Sequence, residues 1–206
     1  MPLRTVVFLD YQNIYSTARE VFGDAGPRPG QVDPMRLAAL LVSRSRDHRV
    51  LSGVRVYRGQ PDSLRQGVAY SANRRQTTRW EQAGCTVVTR TLRYPRGSTD
   101  AKGVGKGLDV ALAVDFLLMA VDKGYDRAIL MSTDTDLKPA LEAVANLPGS
   151  ERAPMCEVAA WSSEAPRSRR LSIPSRKIWC HWLDENDYRQ VRDPTSYRPR
   201  KRRPPA

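Results

Sequence analysis

The sequence is poor in residues that bind soft metals or form disulfides. Its 206 residues include three cysteines, Cys85, Cys156 and Cys180, and two histidines, His48 and His181. No two cysteines have the Cys-x-x-Cys spacing, so neither a disulfide framework nor a zinc ribbon is predicted. A structural zinc site would also lack a convincing ligand set.

Long apolar runs are missing as well. No segment approaches the roughly 20 apolar residues of a membrane helix, and the N-terminus enters a strand pattern directly, without a signal peptide. These absences predict a cytoplasmic protein that has no membrane partner. The length suits one domain of roughly 150–190 residues with a tail.

Positive charge is in excess, with a formal net charge of +12. Residues 166–177 contain five basic residues and no acid, while residues 192–206 contain six basic residues and one acid. The excess is therefore concentrated near the C-terminus, and a polyanionic partner is its simplest explanation. We predict one domain over residues 1–165. A basic extension over 166–206 is predicted to be partly docked, with a disordered tail from about residue 192.

Apolar strand patterns alternate with helical patterns along the first 161 residues. Such alternation predicts an α/β three-layer sandwich, in which helices cover both faces of a mostly parallel sheet of five or six strands. A further edge strand or docked segment is expected over residues 178–183. The five main strands are predicted at residues 5–9, 51–57, 85–92, 125–132 and 155–161.

Four aspartates, Asp10, Asp109, Asp134 and Asp136, fall at predicted strand ends or helix starts. These positions meet at the carboxyl edge of a parallel sheet, so the carboxylates are expected to converge. Each pair of charges at 4 Å would cost about 4 kcal/mol at an effective dielectric near 20. A cation would relieve that repulsion, and oxygen ligands suit Mg²⁺ or Mn²⁺.

Polar residues beside these aspartates complete a set suited to metal-assisted hydrolysis of phosphodiester bonds. Asn13 could hold a water or the scissile phosphate. Ser132 or Thr133 could orient a water, and Lys106 could contact the substrate backbone. An aspartate after a strand is often only a helix cap, so any one of the four alone would be structural. Their convergence with Asn13 favours a functional site.

Asp115 is predicted to lie on the same helix as Asp109 but to point in a different direction. At 100° per residue it lies about 120° around the helix from Asp109, so the two side chains cannot point into one site. We expect Asp115 either to support the site through helix packing or to contact substrate. The neighbouring glycine-rich run is not a phosphate-binding loop, because Gly107 follows Lys106 where Ser or Thr would be needed.

Two groups of arginines are candidates for contact with a nucleic-acid backbone. Arg74 and Arg75 lie on a polar helix predicted over residues 63–83, and Arg167, Arg169 and Arg170 lie in the basic extension. A polar helix of this kind is often only a solvated face, and that interpretation stays open for the first pair.

Three segments resemble, in order and spacing, the motifs of NYN domains, which belong to the PIN-like nuclease superfamily. The resemblance covers about residues 4–162 and implies a PIN-like Rossmannoid fold with Mg²⁺- or Mn²⁺-dependent cleavage of RNA. The segments are VFLDYQN at 7–13, KGLDVALAVD at 106–115 and STDTDL at 132–137.

The same resemblance assigns the acidic positions of the family to Asp10, Asp109, Asp134 and Asp136. Asn13 corresponds to the family's asparagine, and Asp115 to its second helix aspartate. Two residues depart from the family's commoner glycines, Tyr11 after the first aspartate and Thr133 before Asp134. Both departures could alter access of the substrate.

We therefore predict a metal-dependent endoribonuclease whose basic segments add sequence-independent affinity for RNA. One alternative is an RNA-binding module that keeps the fold without turnover. A phosphohydrolase of the haloacid-dehalogenase type fits less well, because it needs a second aspartate where Gln12 stands. DNA stays open as a substrate, since no residue visibly recognises a 2′-hydroxyl. A homo-oligomer is also possible.

Overall fold

The computed structural model describes residues 1–23, 28–45, 47–94, 103, 105–147, 155–163, 168–174 and 176–198. Its strands are β1 (Leu3–Asp10), β2 (Arg49–Gln60), β3 (Thr86–Thr91), β4 (Arg127–Met131), β5 (Met155–Trp161) and β6 (Cys180–Leu183). Its helices are α1 (Tyr11–Phe22), α2 (Pro34–Ser43), α3 (Gly67–Gln82), α4 (Leu108–Val121), α5 (Lys138–Ala145) and α6 (Glu185–Val191), with a 3₁₀ turn at Thr135–Leu137.

The six strands form one sheet in the order β3-β2-β1-β4-β5-β6. Every neighbouring pair is parallel, so the predicted α/β fold is confirmed and the sheet is entirely parallel. The chain runs outward in one direction from β1 and in the other from β4. A crevice forms at the carboxyl ends of strands where the order reverses in this way, and ligands of such sheets bind there.

Helices cover both faces of the sheet because alternate side chains of each strand point to opposite sides. On one face, Val6 and Phe8 of β1 share a core cluster with residues of α4 and α5. On the other face, Val7 and Leu9 pack in a second cluster with residues of α1, α2, α3 and α6. This three-layer arrangement is the predicted sandwich. Among the described residues, no helix has the length and apolar character needed to cross a membrane.

Local sequence accounts for several element boundaries. Asp33 caps α2, since its side chain accepts hydrogen bonds from the backbone of Met35 and Arg36, and Pro34 occupies the first turn. A 3₁₀ turn precedes α5, because the Asp134 carboxylate accepts the Asp136 N–H at 3.0 Å. That turn fixes the backbone directly after β4.

The C-terminal region is part of the same fold. β6 pairs with β5, and α6 begins at a capping box formed by Asp184 and Asp187. The predicted disorder from about residue 192 is wrong for residues 192–198. The Asp193 N–H donates to the Gln31 carbonyl at 2.9 Å, and the Gln31 side chain donates to two carbonyls of this segment. Asp193 is 4% exposed, so its local contacts outweigh the polar composition that predicted disorder.

A buried ionic cluster joins β2, β5 and β6. Two nitrogens of Arg49 donate to the Glu157 carboxylate at 2.9 and 2.6 Å, and His181 Nε2 lies 2.7 Å from the same carboxylate. Burial alone would raise the pKa of Glu157, but the hydrogen bonds from His181 and Arg49 lower it to about 2. The cluster is therefore an ionised contact that links three strands.

Candidate functional site

Three carboxylates meet at the point where the strand order reverses. Asp10 ends β1, Asp134 follows β4, and Asp109 lies in the first turn of α4. One ligand atom from each lies within 4.8 Å of the others. The structure thus brings together three of the four aspartates proposed from the sequence as metal ligands.

Asp10 is the most buried of the three, with 7% of its surface exposed. Ser132 Oγ donates to Asp10 Oδ2 at 2.8 Å, and the Asn13 N–H donates to Oδ1 at 3.2 Å. Burial raises the pKa of Asp10 to about 6, since these two hydrogen bonds only partly offset it and the charges of Asp109 and Asp134 raise it further. Bringing a positive ion to this position would favour the ionised form.

Ser132 connects two of the carboxylates. Its hydroxyl accepts the Asp134 N–H at 3.0 Å while it donates to Asp10. One side chain therefore fixes the spacing between the end of β1 and the turn after β4. The Ser132 hydroxyl, which the sequence suggested as a group that could orient a water, is thus engaged by these two residues.

Asn13 makes a contact that the sequence did not predict. Its Oδ1 accepts from both the backbone N–H of Thr133, at 3.0 Å, and the Thr133 hydroxyl, at 3.2 Å. The side chain joins the first turn of α1 to the loop after β4. Asn13 and Thr133 therefore hold each other in place, which limits the freedom of the Thr133 hydroxyl to orient a water.

Asp109 and Asp136 are electrostatically linked although only Asp109 belongs to the cluster. Burial raises the pKa of Asp109, and the charges of Asp134 and Asp136 raise it further. Asp136 lies on the 3₁₀ turn, is exposed and is outside the group of three ligand atoms. The structure therefore does not bring together all four carboxylates proposed as ligands. Lys106 is exposed in the turn that precedes α4.

Asp115 lies away from the cluster and attaches α4 to β2. Its Oδ2 accepts from Arg55 Nη2 at 2.6 Å and from the Tyr57 hydroxyl at 2.7 Å. Although burial raises the pKa of Asp115, the hydrogen bonds from Tyr57 and Arg55 lower it below its ordinary value. Of the two roles expected from the sequence, this geometry favours helix packing.

The two arginines on α3 differ in their surroundings. Arg74 is exposed. Arg75 is also exposed, but its Nη1 donates to the Tyr197 carbonyl at 3.1 Å. Arg75 therefore helps to attach the C-terminal segment, and Arg74 is the freer of the pair to meet a nucleic acid.

The arginines of the extension are similarly divided. Arg170 donates to the Ile178 carbonyl at 3.0 Å, a contact within the extension itself. Arg169 is 77% exposed and lies 3.7 Å from the Glu20 carboxylate, a weak surface ion pair. Arg167 lies outside the described residues.

The chemistry of the cluster fits a divalent cation. All three donors are carboxylate oxygens, and the charges that act most on Asp10 are the acidic groups of Asp109 and Asp134. Hard oxygen donors of this kind suit hard divalent cations. The three residues could therefore hold such an ion at the carboxyl edge of the sheet.

Comparison with known proteins gives the family of the chain. A family model described as "NYN domain" matches residues 4–147. A crystal structure of a protein of unknown function from Vibrio parahaemolyticus has a TM-score of 0.49 and 19% sequence identity, covering 77% of this chain and 81% of that chain. A comparison with curated proteins found no match. Because the family model spans most of the sequence, including all three clustered aspartates, the chain belongs to the NYN domain family of the PIN-like nuclease superfamily.

Proposed function

We propose that the protein is an endoribonuclease that hydrolyses RNA phosphodiester bonds and uses Mg²⁺ or Mn²⁺ held by Asp10, Asp109 and Asp134. The observation that carries the proposal is the meeting of these three carboxylates within 4.8 Å at the reversal of strand order. Their mutual repulsion is unfavourable unless a cation lies between them. Membership of a nuclease superfamily supports the same chemistry.

Each residue of the site has a part in this proposal. When bound, the ion polarises a phosphoryl oxygen and lowers the pKa of a water. Ser132 keeps Asp10 and Asp134 at a fixed spacing through its two hydrogen bonds. Asn13 has its oxygen engaged by Thr133, which leaves its Nδ2 group to donate to a phosphate oxygen.

Exposed basic residues supply the affinity for a polyanion in this proposal. Lys106 precedes the helix that carries Asp109, and Arg74 and Arg169 are exposed. The net charge of +12 supports a nucleic-acid partner, because such charge favours non-specific phosphate contacts. RNA is preferred over DNA because of the family resemblance.

The proposal is tested by cleavage of end-labelled single-stranded and structured RNA, with DNA of the same sequence in parallel. We expect cleavage with Mg²⁺ or Mn²⁺ and none in EDTA. Asp134→Asn should lower the rate by about 100-fold or more, since a metal contributes several kcal/mol to the transition state. A matched control is Asp62→Asn, because Asp62 also accepts backbone N–H groups in a turn but lies outside the cluster.

Two results would contradict the mechanism. Undiminished cleavage in EDTA would remove the need for an ion, and full activity of Asp134→Asn would remove the cluster from catalysis. Binding of RNA without any cleavage in Mn²⁺ would instead support the RNA-binding module without turnover.

A further inference from the structure

A cavity of about 710 Å³ opens at the carboxyl end of β2, in the size range of small-molecule sites. Its walls come from α1, the end of β2, α3 and residues 196–198. Tyr11 and Gln12, which follow Asp10 directly in the chain, line it. The cavity therefore has two lining residues next to Asp10 in the chain, but none of the three clustered carboxylates lines it.

A buried arginine forms part of the wall. Arg58 is 9% exposed, and its guanidinium lies over the rings of Trp80 and Tyr11 at 4.6 and 5.3 Å. Nη1 donates to Gln76 Oε1 at 3.0 Å, but buried Nε has no hydrogen-bond partner in the described part of the chain. Burial lowers the pKa of Arg58 to about 10, so the side chain stays charged at neutral pH. A buried cation without a paired anion is costly.

A second buried polar group also lacks a partner. Asn73, on α3, is 7% exposed and donates from Nδ2 to the Gly59 carbonyl at 3.0 Å. Its Oδ1 accepts no hydrogen bond from the described residues. A buried amide oxygen without a hydrogen bond is rare, because leaving that hydrogen bond unmade costs about 1–3 kcal/mol. Because this oxygen is covered in the structure, a ligand donor would remove that cost only after a rotation of the Asn73 side chain that turns the oxygen into the cavity.

The remaining wall suits a nucleotide. Gln12 contributes an amide, and Tyr15 and Tyr197 contribute aromatic rings. Amide groups can pair with the donors and acceptors of a base edge, and tyrosine rings stack on bases. Arg28 and Arg198 add positive charge, and none of the described residues that line the cavity is acidic.

We propose that this cavity binds one nucleotide, with its phosphate directed to Arg58 and its base to the Asn73 amide. The assignment of that nucleotide to the RNA chain, next to the cleaved bond, rests on the proposed ribonuclease function. The cavity then selects the position of cleavage by accepting one unstacked base, while the carboxylates perform the reaction. The shared chemistry is that of a nucleoside monophosphate, free or within RNA.

The first test measures binding of AMP, GMP, CMP and UMP in EDTA by NMR titration and calorimetry. We expect at least one to bind to the wild type without any metal. Ala69 is exposed and lines the cavity, so Ala69→Trp should fill the space without disturbing the core and weaken binding tenfold or more. Ala69→Ser is the matched control and should bind like the wild type. Arg58→Met should weaken binding at least tenfold if circular dichroism shows a native fold.

The second test separates the two proposals. Asp134→Asn should keep nucleotide binding in EDTA even though it loses cleavage. If Ala69→Trp also raises KM for RNA or shifts the cleavage positions, the nucleotide belongs to the substrate. Unchanged cleavage would overturn that assignment and leave a free nucleotide as the ligand.

Failure of all four nucleotides to bind, or equal binding by Ala69→Trp and Ala69→Ser, would overturn the cavity proposal. Absence of cleavage with intact nucleotide binding would overturn the ribonuclease proposal alone.

Discussion

Replacing Asp134 with asparagine should stabilise the protein in the absence of metal. The substitution removes one of three charges whose ligand atoms lie within 4.8 Å. It also keeps the cap of the 3₁₀ turn, because an asparagine Oδ1 can accept the Asp136 N–H that Asp134 accepts now. The change therefore isolates the electrostatic contribution from the local hydrogen bonding.

The size of the effect follows from Coulomb's law. Two unit charges at 4.8 Å repel by roughly 0.9 kcal/mol at the dielectric of water and by roughly 3.5 kcal/mol at an effective dielectric near 20. Asp134 is half-buried and loses two such repulsions, with Asp10 and with Asp109. We expect a gain of about 2 kcal/mol, which is a rise in Tm of about 4–8 °C for a domain of this size.

The assay is thermal or urea unfolding at pH 8 and low salt, with EDTA and then with Mg²⁺. In EDTA the variant should be the more stable protein. Mg²⁺ should stabilise the wild type by about 2.7 kcal/mol once its concentration is 100 times the Kd, and should have little effect on the variant. A variant that is less stable than the wild type in EDTA, or an equal gain from Mg²⁺ in both proteins, would refute the reasoning. Asp62→Asn should change stability by less than about 0.5 kcal/mol in either buffer.

Three further predictions concern other parts of the chain. Glu157→Gln should destabilise the protein by about 3 kcal/mol at pH 7, because the pKa of Glu157 falls from 4.5 to about 2 on folding. Since this stability is present above pH 4.5 and is lost as pH falls toward 2, urea unfolding should show the variant and wild type converging over that range. Asp115→Asn should cost about 1 kcal/mol through its contacts to Arg55 and Tyr57, and should leave the stabilisation by Mg²⁺ unchanged; loss of that stabilisation would show that Asp115 acts on the metal site after all. Removing residues 199–206, which carry four basic residues, should reduce the salt slope of single-stranded RNA binding by up to about 3, whereas an unchanged slope would show that the tail makes no phosphate contacts.

Most of the fold could be predicted because buried strands and amphipathic helices have distinct periodicities. β5 was predicted at its observed bounds, Met155–Trp161. β2 is longer than predicted, Arg49–Gln60, because polar residues at its ends pair with β1 and β3 without adding to the apolar pattern. Periodicity identifies only the buried part of a strand. The contacts of residues 192–198 were not predicted either, because they depend on distant partners such as Gln31.

The site was predictable where topology decided it. Asp10 ends β1 and Asp134 lies just after the neighbouring parallel strand β4, so the rule that ligands bind at the carboxyl ends of strands placed them together. The same rule could not show that Asp134 joins the cluster and Asp136 does not, because that difference depends on the 3₁₀ turn after β4. No pattern in the sequence predicted the cavity that is proposed to bind a nucleotide. Its walls include Arg58 and Tyr197, which are far apart in the chain.

Because the C-terminal segment forms part of the cavity wall, the cavity is completed later in synthesis than the aspartate cluster. All three clustered aspartates have been synthesised by residue 134, whereas the cavity wall is completed only by residues 196–198. A chain that stops early, or that a protease cuts before this segment, keeps every proposed metal ligand but lacks one wall of the cavity. If the proposed ribonuclease function and the proposed role of the cavity hold, cleavage and the choice of cleavage position depend on different parts of the chain, and a shortened chain should cleave with less discrimination.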